Sequence, residues 1–498
     1  MNSLQILKQI KPTKDISYRG AVTKIVGLII ESDGPMLAIG TTCNIATKSG
    51  VGVPAEIIGF RDNRVLLMPY GESDGIYPGS EVCSVDELSG AVSGSTFLVS
   101  EDMVGRIFDG LGRPMDDKPP IIGGVSMPLF AKSPNPIKRK LIGRGDVVET
   151  GIRAIDGLLT VGFGQRMGLF AGSGVGKSVL LGMIARNTNA DVNVIGLIGE
   201  RGREVNEFIT RDLGAEGFKK SIVIVATGDQ PPLVRRMAAH VTTAVAEYFR
   251  DKGKRVMLMM DSLTRVAYSQ REIGLAAGEP PASKGFTPSF IPLLQKLLER
   301  AGTDSGKGSI TGIYTVLVEA DDTNDLVGDT VRSIIDGHII LSRQLSAKNH
   351  FPAIDVLNSA SRLMKELVDD DTFDSAGRFR DLLATYNDAE ALVNINAYVH
   401  GSNKKIDEAL QKIDDINGFL RQRMGENIPY KTTLETIRNI IESPLVQATA
   451  NMAQARQPAQ PQAQPANPVP SPAGQPQPTQ PMAQQPQQPQ QPLLLQRG

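Results

Sequence analysis

The sequence has no tryptophan, two cysteines and no apolar run near the roughly 18 residues that a membrane helix needs, and each shortage closes off a class of protein. Cys43 and Cys83 stand apart, in neither a CxxC pair nor a metal-ligand spacing, which suits a reduced, cytosolic compartment. The N-terminus lacks a charged-then-apolar export signal, so any membrane contact is expected to be peripheral. Charge of one sign is also missing. The 53 basic and 54 acidic side chains leave a net charge of -1, and no long basic run breaks the balance, so no nucleic-acid partner is expected. The four histidines, His240, His338, His350 and His400, are isolated from one another and read as packing or surface residues. No nucleophile elbow is present.

The 498 residues are 41% hydrophobic and 21% charged, enough for two or three packed units with a tail. Residues 1–17 form a short N-terminal extension in which Leu4, Leu7 and Ile10 have helical spacing. Over 18–95, short β-branched runs at 21–26, 27–30, 55–58 and 65–68 alternate with turn residues such as Asp33-Gly34 and Arg61-Asp62-Asn63. A closed β-barrel is expected, because a loose meander would leave sheet edges exposed. Residues 96–375, which include a Pro-rich connector at 115–145, change to strand alternating with helix. Apolar runs at 167–170, 192–198, 222–226, 256–260, 313–318 and 339–341 predict an α/β domain with a mostly parallel sheet covered on both faces. Helices follow over 376–446, where Ile406, Leu410, Ile413, Ile416 and Leu420 mark one buried stripe. From 447 to 498 Pro and Gln dominate and disorder is expected; the closing Leu493-Leu494-Leu495 has no assigned role.

Ligands of such sheets bind beyond the carboxyl ends of the strands, and the strongest motif lies there. Phe170-Ala171-Gly172-Ser173-Gly174-Val175-Gly176-Lys177-Ser178 ends a strand and opens a helix that begins with Val179. Glycines let the backbone curl so that successive N–H groups face phosphate oxygens, and the helix N-terminus adds its dipole. Lys177 is expected to reach the β and γ phosphates of ATP, and the Ser178 hydroxyl to bind Mg²⁺. Ala171 takes the place of the motif's first glycine. Asp261, which ends the apolar run 256–260, is the second expected Mg²⁺ group. Glu200, the first acid after the run 192–198, is the candidate for activating water, with Arg201 beside it as a catalytic candidate and Glu204 as the fallback carboxylate. Without the neighbouring motifs, Glu200 with Arg201 and Arg203 would read as a solvated salt-bridge cluster.

Together these elements resemble the rotary ATPase family, whose members join a β-barrel, a RecA-like nucleotide domain and a helical C-terminal domain. Residues 170–178, 199–205, 260–263, 271–281, 336–343 and 398–409 are similar to its flagellar type III export branch in particular. The resemblance implies a homohexamer with ATP between subunits, a regulatory stalk protein at the N-terminal segment, and export substrates, chaperones and membrane gate proteins as partners at the inner-membrane export apparatus. It also implies that Arg362, in Ala360-Ser361-Arg362, is an arginine finger reaching the neighbouring subunit's γ-phosphate, and that Phe351 stacks on adenine where the family usually has Tyr. Ala320 and Leu326 depart from its usual Gly and Pro. Three other readings share the nucleotide core. A virulence secretion ATPase differs by context. An ATP synthase catalytic subunit would carry an acidic helix-turn signature that residues 376–446 lack. A hexameric RNA translocase would carry a basic, aromatic N-terminal domain, whereas 18–85 is not basic.

Overall fold

A computed structural model of the chain describes residues 18–84, 92, 93, 96–318 and 325–444. The expectations for Leu4, Leu7 and Ile10, for Ala320 and for the Pro/Gln tail with Leu493 to Leu495 lie outside the described residues.

Six strands close the N-terminal barrel: β1 (Arg19–Val26), β2 (Ile29–Ser32), β3 (Thr42–Ile45), β4 (Val53–Arg61), β5 (Arg64–Pro69) and β6 (Glu81–Ser84), in the spatial order β1-β2-β5-β4-β3-β6. Its interior is filled by Val22, Ile30, Ile45, Ile57, Val65, Leu67 and Val82, while Leu66, Met68 and Tyr70 point outward into the core of the following domain. Asp62 and Asn63 turn the β4–β5 hairpin with φ of 46° and 62°, the paired left-handed geometry that Asp and Asn tolerate. The run 27–30 is not one strand: Gly27-Leu28 is the turn of the β1–β2 hairpin, with Gly27 at φ 57°. Asp33-Gly34, in turn, starts an irregular crossing, because β2 pairs with β1 and β5 and not with β3.

The central sheet contains β7 (Arg106–Asp109), β8 (Arg166–Ala171), β9 (Val192–Ile198), β10 (Ser221–Ala226), β11 (Arg255–Asp261), β12 (Ser309–Leu317), β13 (Gly337–Leu341) and β14 (Ala360–Ser361). Their order is β14-β13-β8-β12-β11-β9-β10-β7, parallel except for the short edge strand β14; the small strand Gly302–Thr303 adds an antiparallel pairing to β12. Both faces are covered. Val194, Ile198, Ile222 and Leu258 pack with helix α2 (Pro232–Asp251), whereas their alternates Ile195, Leu197, Val223 and Met257 pack with α1 (Lys177–Asn187). This two-sided burial explains the uninterrupted apolar runs.

The C-terminal helices α3 (Asp370–Asn394), α4 (Lys404–Leu420) and α5 (Tyr430–Glu442) join the second of these cores. In α4, Ile413, Ile416 and Leu420 are buried as the stripe predicts, and Ile406 and Leu410 are half-buried. Among the described residues no helix is long and apolar enough to cross a membrane.

Two buried ion pairs tie the parts together. Arg236 of α2 donates to both oxygens of Glu56 in β4 at 2.6 and 2.8 Å, and the Tyr70 hydroxyl donates to the same carboxylate at 2.7 Å. Arg300 grips Glu247 of α2 at 2.9 and 2.6 Å and also donates to the Leu129 carbonyl of the Pro-rich connector. At the entry to the nucleotide domain, Asp156 is buried and accepts from the Thr150 N–H (2.9 Å), the Thr150 hydroxyl (2.6 Å) and the Gly151 N–H (2.9 Å). Burial outweighs those hydrogen bonds and pushes its carboxyl up to about 7.

Candidate active site

The loop between β8 and α1 is shaped by where its residues sit in backbone space. Ala171 is the last residue of β8 and is buried in extended conformation, so a side chain fits where the motif more often has glycine. Gly174 and Gly176 adopt φ of 78° and 90°, the left-handed region in which a side chain is strained, and Gly176 caps α1. The carboxyl ends of β8, β9 and β11 then bring three side chains together. Lys177 Nζ lies 3.0 Å from Glu200 Oε1 and 2.5 Å from Asp261 Oδ1. Burial works against the Lys177 ammonium, but Asp261 and Glu200 outweigh it and hold its pKa above the ordinary lysine value. Burial likewise pushes the Asp261 carboxyl up, against the pull of Lys177.

A cavity of about 450 Å³ opens over this cluster. Of the residues expected in the site, Gly172, Ser173, Gly174, Gly176, Lys177, Ser178, Val179, Glu200, Arg201 and Glu204 line it. Asp261 lies beneath, nearly inaccessible, and is reached through Lys177. Arg201 stands in solvent at the rim with Glu204 at 3.5 Å, while the Glu200 side chain is only 14% exposed, so the two carboxylates differ sharply in access to bulk water. Val175 turns away and lines a second, apolar cavity of about 280 Å³ with Phe351, Pro352, Met183 and Met424. Gly176 and Val179 wall both cavities, so a polar and an apolar compartment meet across the loop.

Arg362 is not brought to this site. Its backbone N–H bonds the Asp336 carbonyl, and Asp336 in turn pairs with Arg166 at the amino end of β8. At about 3.3 Å per residue, the five steps from Arg166 to Ala171 separate that end from the loop by roughly 17 Å. The Arg362 side chain is exposed, and among the described residues its guanidinium donates only to the Arg332 carbonyl, at 3.5 Å.

The structure adds residues that the motifs did not reveal. The Thr315 hydroxyl, on β12, donates to Asp261 Oδ1 at 2.7 Å and fixes that carboxylate. Arg265 lines the polar cavity with a buried Nε that has no partner, and its stem packs so close to Gly199 that an added Cβ there would sit 2.6 Å from it. Its place four residues after Asp261, one helical turn on, was a usable signal. Arg343, just past β13, also lines the cavity.

The sequence pattern of the ATP synthase alpha/beta family nucleotide-binding domain matches residues 151–361, and that of the family's β-barrel domain matches 22–85. A flagellum-specific ATP synthase of Bacillus subtilis is 50% identical over 428 residues, 86% of this chain and 96% of that one. The chain belongs to the ATP synthase α/β family. Within it, residues 368–439 match the C-terminal domain of type III secretion ATPases of the EscN kind. A type 3 secretion system ATPase of Xanthomonas euvesicatoria is 47% identical, over 85% of this chain and 94% of its own length. Among solved structures of the family, the assembled ATPase EscN of enteropathogenic E. coli superimposes with a TM-score of 0.79 at 42% identity, covering 85% of this chain and all of that one. The same ATPase in complex with its central stalk EscO gives a TM-score of 0.77.

Proposed function

We propose that this chain is an ATPase whose hydrolysis, in a homohexameric ring, drives flagellar type III protein export. The observation that carries the reading is the pair of adjoining cavities, one lined by the glycine loop with Lys177 and Glu200, the other apolar and faced by Phe351. A triphosphate would occupy the first, of about 450 Å³, and a purine base the second, of about 280 Å³. The loop N–H groups and Lys177 would hold the phosphates, and Lys177 would exchange a carboxylate for phosphate oxygen on binding. That exchange frees Glu200, whose oxygen then accepts the proton of a water as the water oxygen attacks the γ-phosphorus and the bond to the ADP oxygen breaks. The hydroxyl of Ser178 and the carboxylate of Asp261 are hard oxygen donors of the kind Mg²⁺ takes, and Thr315 already fixes the carboxylate; bound there, the ion would neutralise phosphate charge. Arg362 would complete the site of the next subunit.

The ring would work in the cytosol, docked peripherally at the inner-membrane export gate, with a stalk protein, chaperones and export substrates as partners. A virulence secretion ATPase is the second reading, favoured by the 47% identical type 3 secretion system ATPase of Xanthomonas euvesicatoria. The two are separated by whether the gene restores motility to a flagellar strain lacking its own export ATPase. The chemical core is tested by Lys177→Ala, for which phosphate release should fall to background; turnover at the parent rate would remove Lys177 from the site.

A further inference from the structure

Five cations line the phosphate cavity, and three of them are committed to carboxylates. Lys177 is tied to Glu200 and Asp261, Arg201 to Glu204 and Arg211 to Asp212, while Arg265 is half-buried with its stem wedged against Gly199. The fifth, Arg343, makes no hydrogen bond or ion pair among the described residues, and its side chain is exposed at the cavity lip. Its position follows from sheet register. β13 runs parallel beside β8 with Leu341 opposite Ala171, so the residue two beyond Leu341 stands beside the loop residues two beyond Ala171. There its guanidinium packs against Gly172 of the loop. A Cβ added to Gly172 would meet Arg343 Nε at 2.6 Å and Nη2 at 2.8 Å.

We infer that Arg343 determines specificity for the terminal phosphate, contacting it from the same subunit that carries the loop. The inference rests on the reading of this cavity as the triphosphate site. Two features make this the natural ligand. The Lys177 charge is already opposed by Glu200 and Asp261, so a terminal phosphate entering the cavity needs further positive charge, and of the two guanidinium groups there without a partner among the described residues, Arg265 is half-buried against Gly199 whereas Arg343 is exposed beside the loop. A guanidinium is also built for forked hydrogen bonding to phosphate oxygens. The bare Cα of Gly172 makes room for it. Arg343 further links the phosphate end to the base end, because eight residues downstream the same segment presents Phe351 to the apolar cavity. Loss of the terminal phosphate would therefore release Arg343 and the start of the segment that holds the base.

The test is equilibrium binding of Mg²⁺ with ADP and with a non-hydrolysable ATP analogue to the full chain, alongside steady-state kinetics. A hydrogen bond to a charged group contributes enough that its loss costs about tenfold or more in affinity, so Arg343→Ala should weaken the ATP analogue by about that factor and leave ADP within about twofold. Arg343→Lys should recover part of the difference. Gly172→Ala, which displaces a flexible guanidinium and no backbone, should reproduce the loss of discrimination, and should add nothing further when combined with Arg343→Ala. Equal loss for both nucleotides, or none, would overturn the assignment while leaving the cavity reading intact. Uptake of neither nucleotide by the parent chain would overturn both.

Discussion

Lys177 is the residue on which the site turns, because it is held between two carboxylates that have different futures once a triphosphate arrives. Asp261 is fixed from behind by Thr315, whereas the Glu200 carboxylate has no second hydrogen-bond partner among the described residues and would be released when Lys177 moves. Glu200→Gln should therefore retain nucleotide binding and lose turnover by about a hundredfold or more, the usual weight of a positioned base. Loss of binding instead, in a calorimetric titration, would make Glu200 a structural partner of Lys177. These three residues were legible in the chain because each follows a motif or an apolar run. Thr315 and Arg343 were not. They owe their places to the sheet bringing the ends of distant strands together, and nothing local marks them, whereas Arg265 had a local signal in its spacing from Asp261.

Among elements, those buried on two faces were the easiest to read. The runs behind β8 to β13 are continuous because both faces pack, and continuity survives any error of register. β7 was missed for the opposite reason: Arg-Ile-Phe-Asp is short, alternates, and pairs only at the sheet edge. Gly27-Leu28 was misread because an apolar residue in a two-residue turn extends an apolar run. The turn at Thr150–Asp156 carries a titration that no pattern shows. Asp156 holds its proton up to about 7 when folded and loses it near the ordinary value of about 3.9 when unfolded. Between those values unfolding releases a proton, so stability is full below the lower limit and falls by about 1.4 kcal/mol per pH unit as pH rises. Denaturant midpoints at pH 5 and pH 7 should therefore drop more steeply in the parent than in Asp156→Asn. Equal slopes would show that the three hydrogen bonds keep Asp156 ionised.

For the molecule as a whole, the buried pairing of Glu56 with Arg236 and the outward Leu66 and Met68 make barrel and nucleotide domain one body. The barrel was visible in the chain as a set of strands, but its attachment was not, since Glu56 and Arg236 are 180 residues apart. The position of Arg362 has a different reach. Mixing Arg362→Ala chains with Lys177→Ala chains should restore part of the activity that each lacks alone, because some junctions then combine an intact loop with an intact finger. No recovery at any ratio would argue that Arg362 acts elsewhere.

With Arg362 in its proposed role, the roughly 17 Å along β8 that keeps it from its own loop would also act as a safeguard. A newly made or detached copy would hold fuel without the means to ignite it, so expenditure would be confined to copies that have found neighbours.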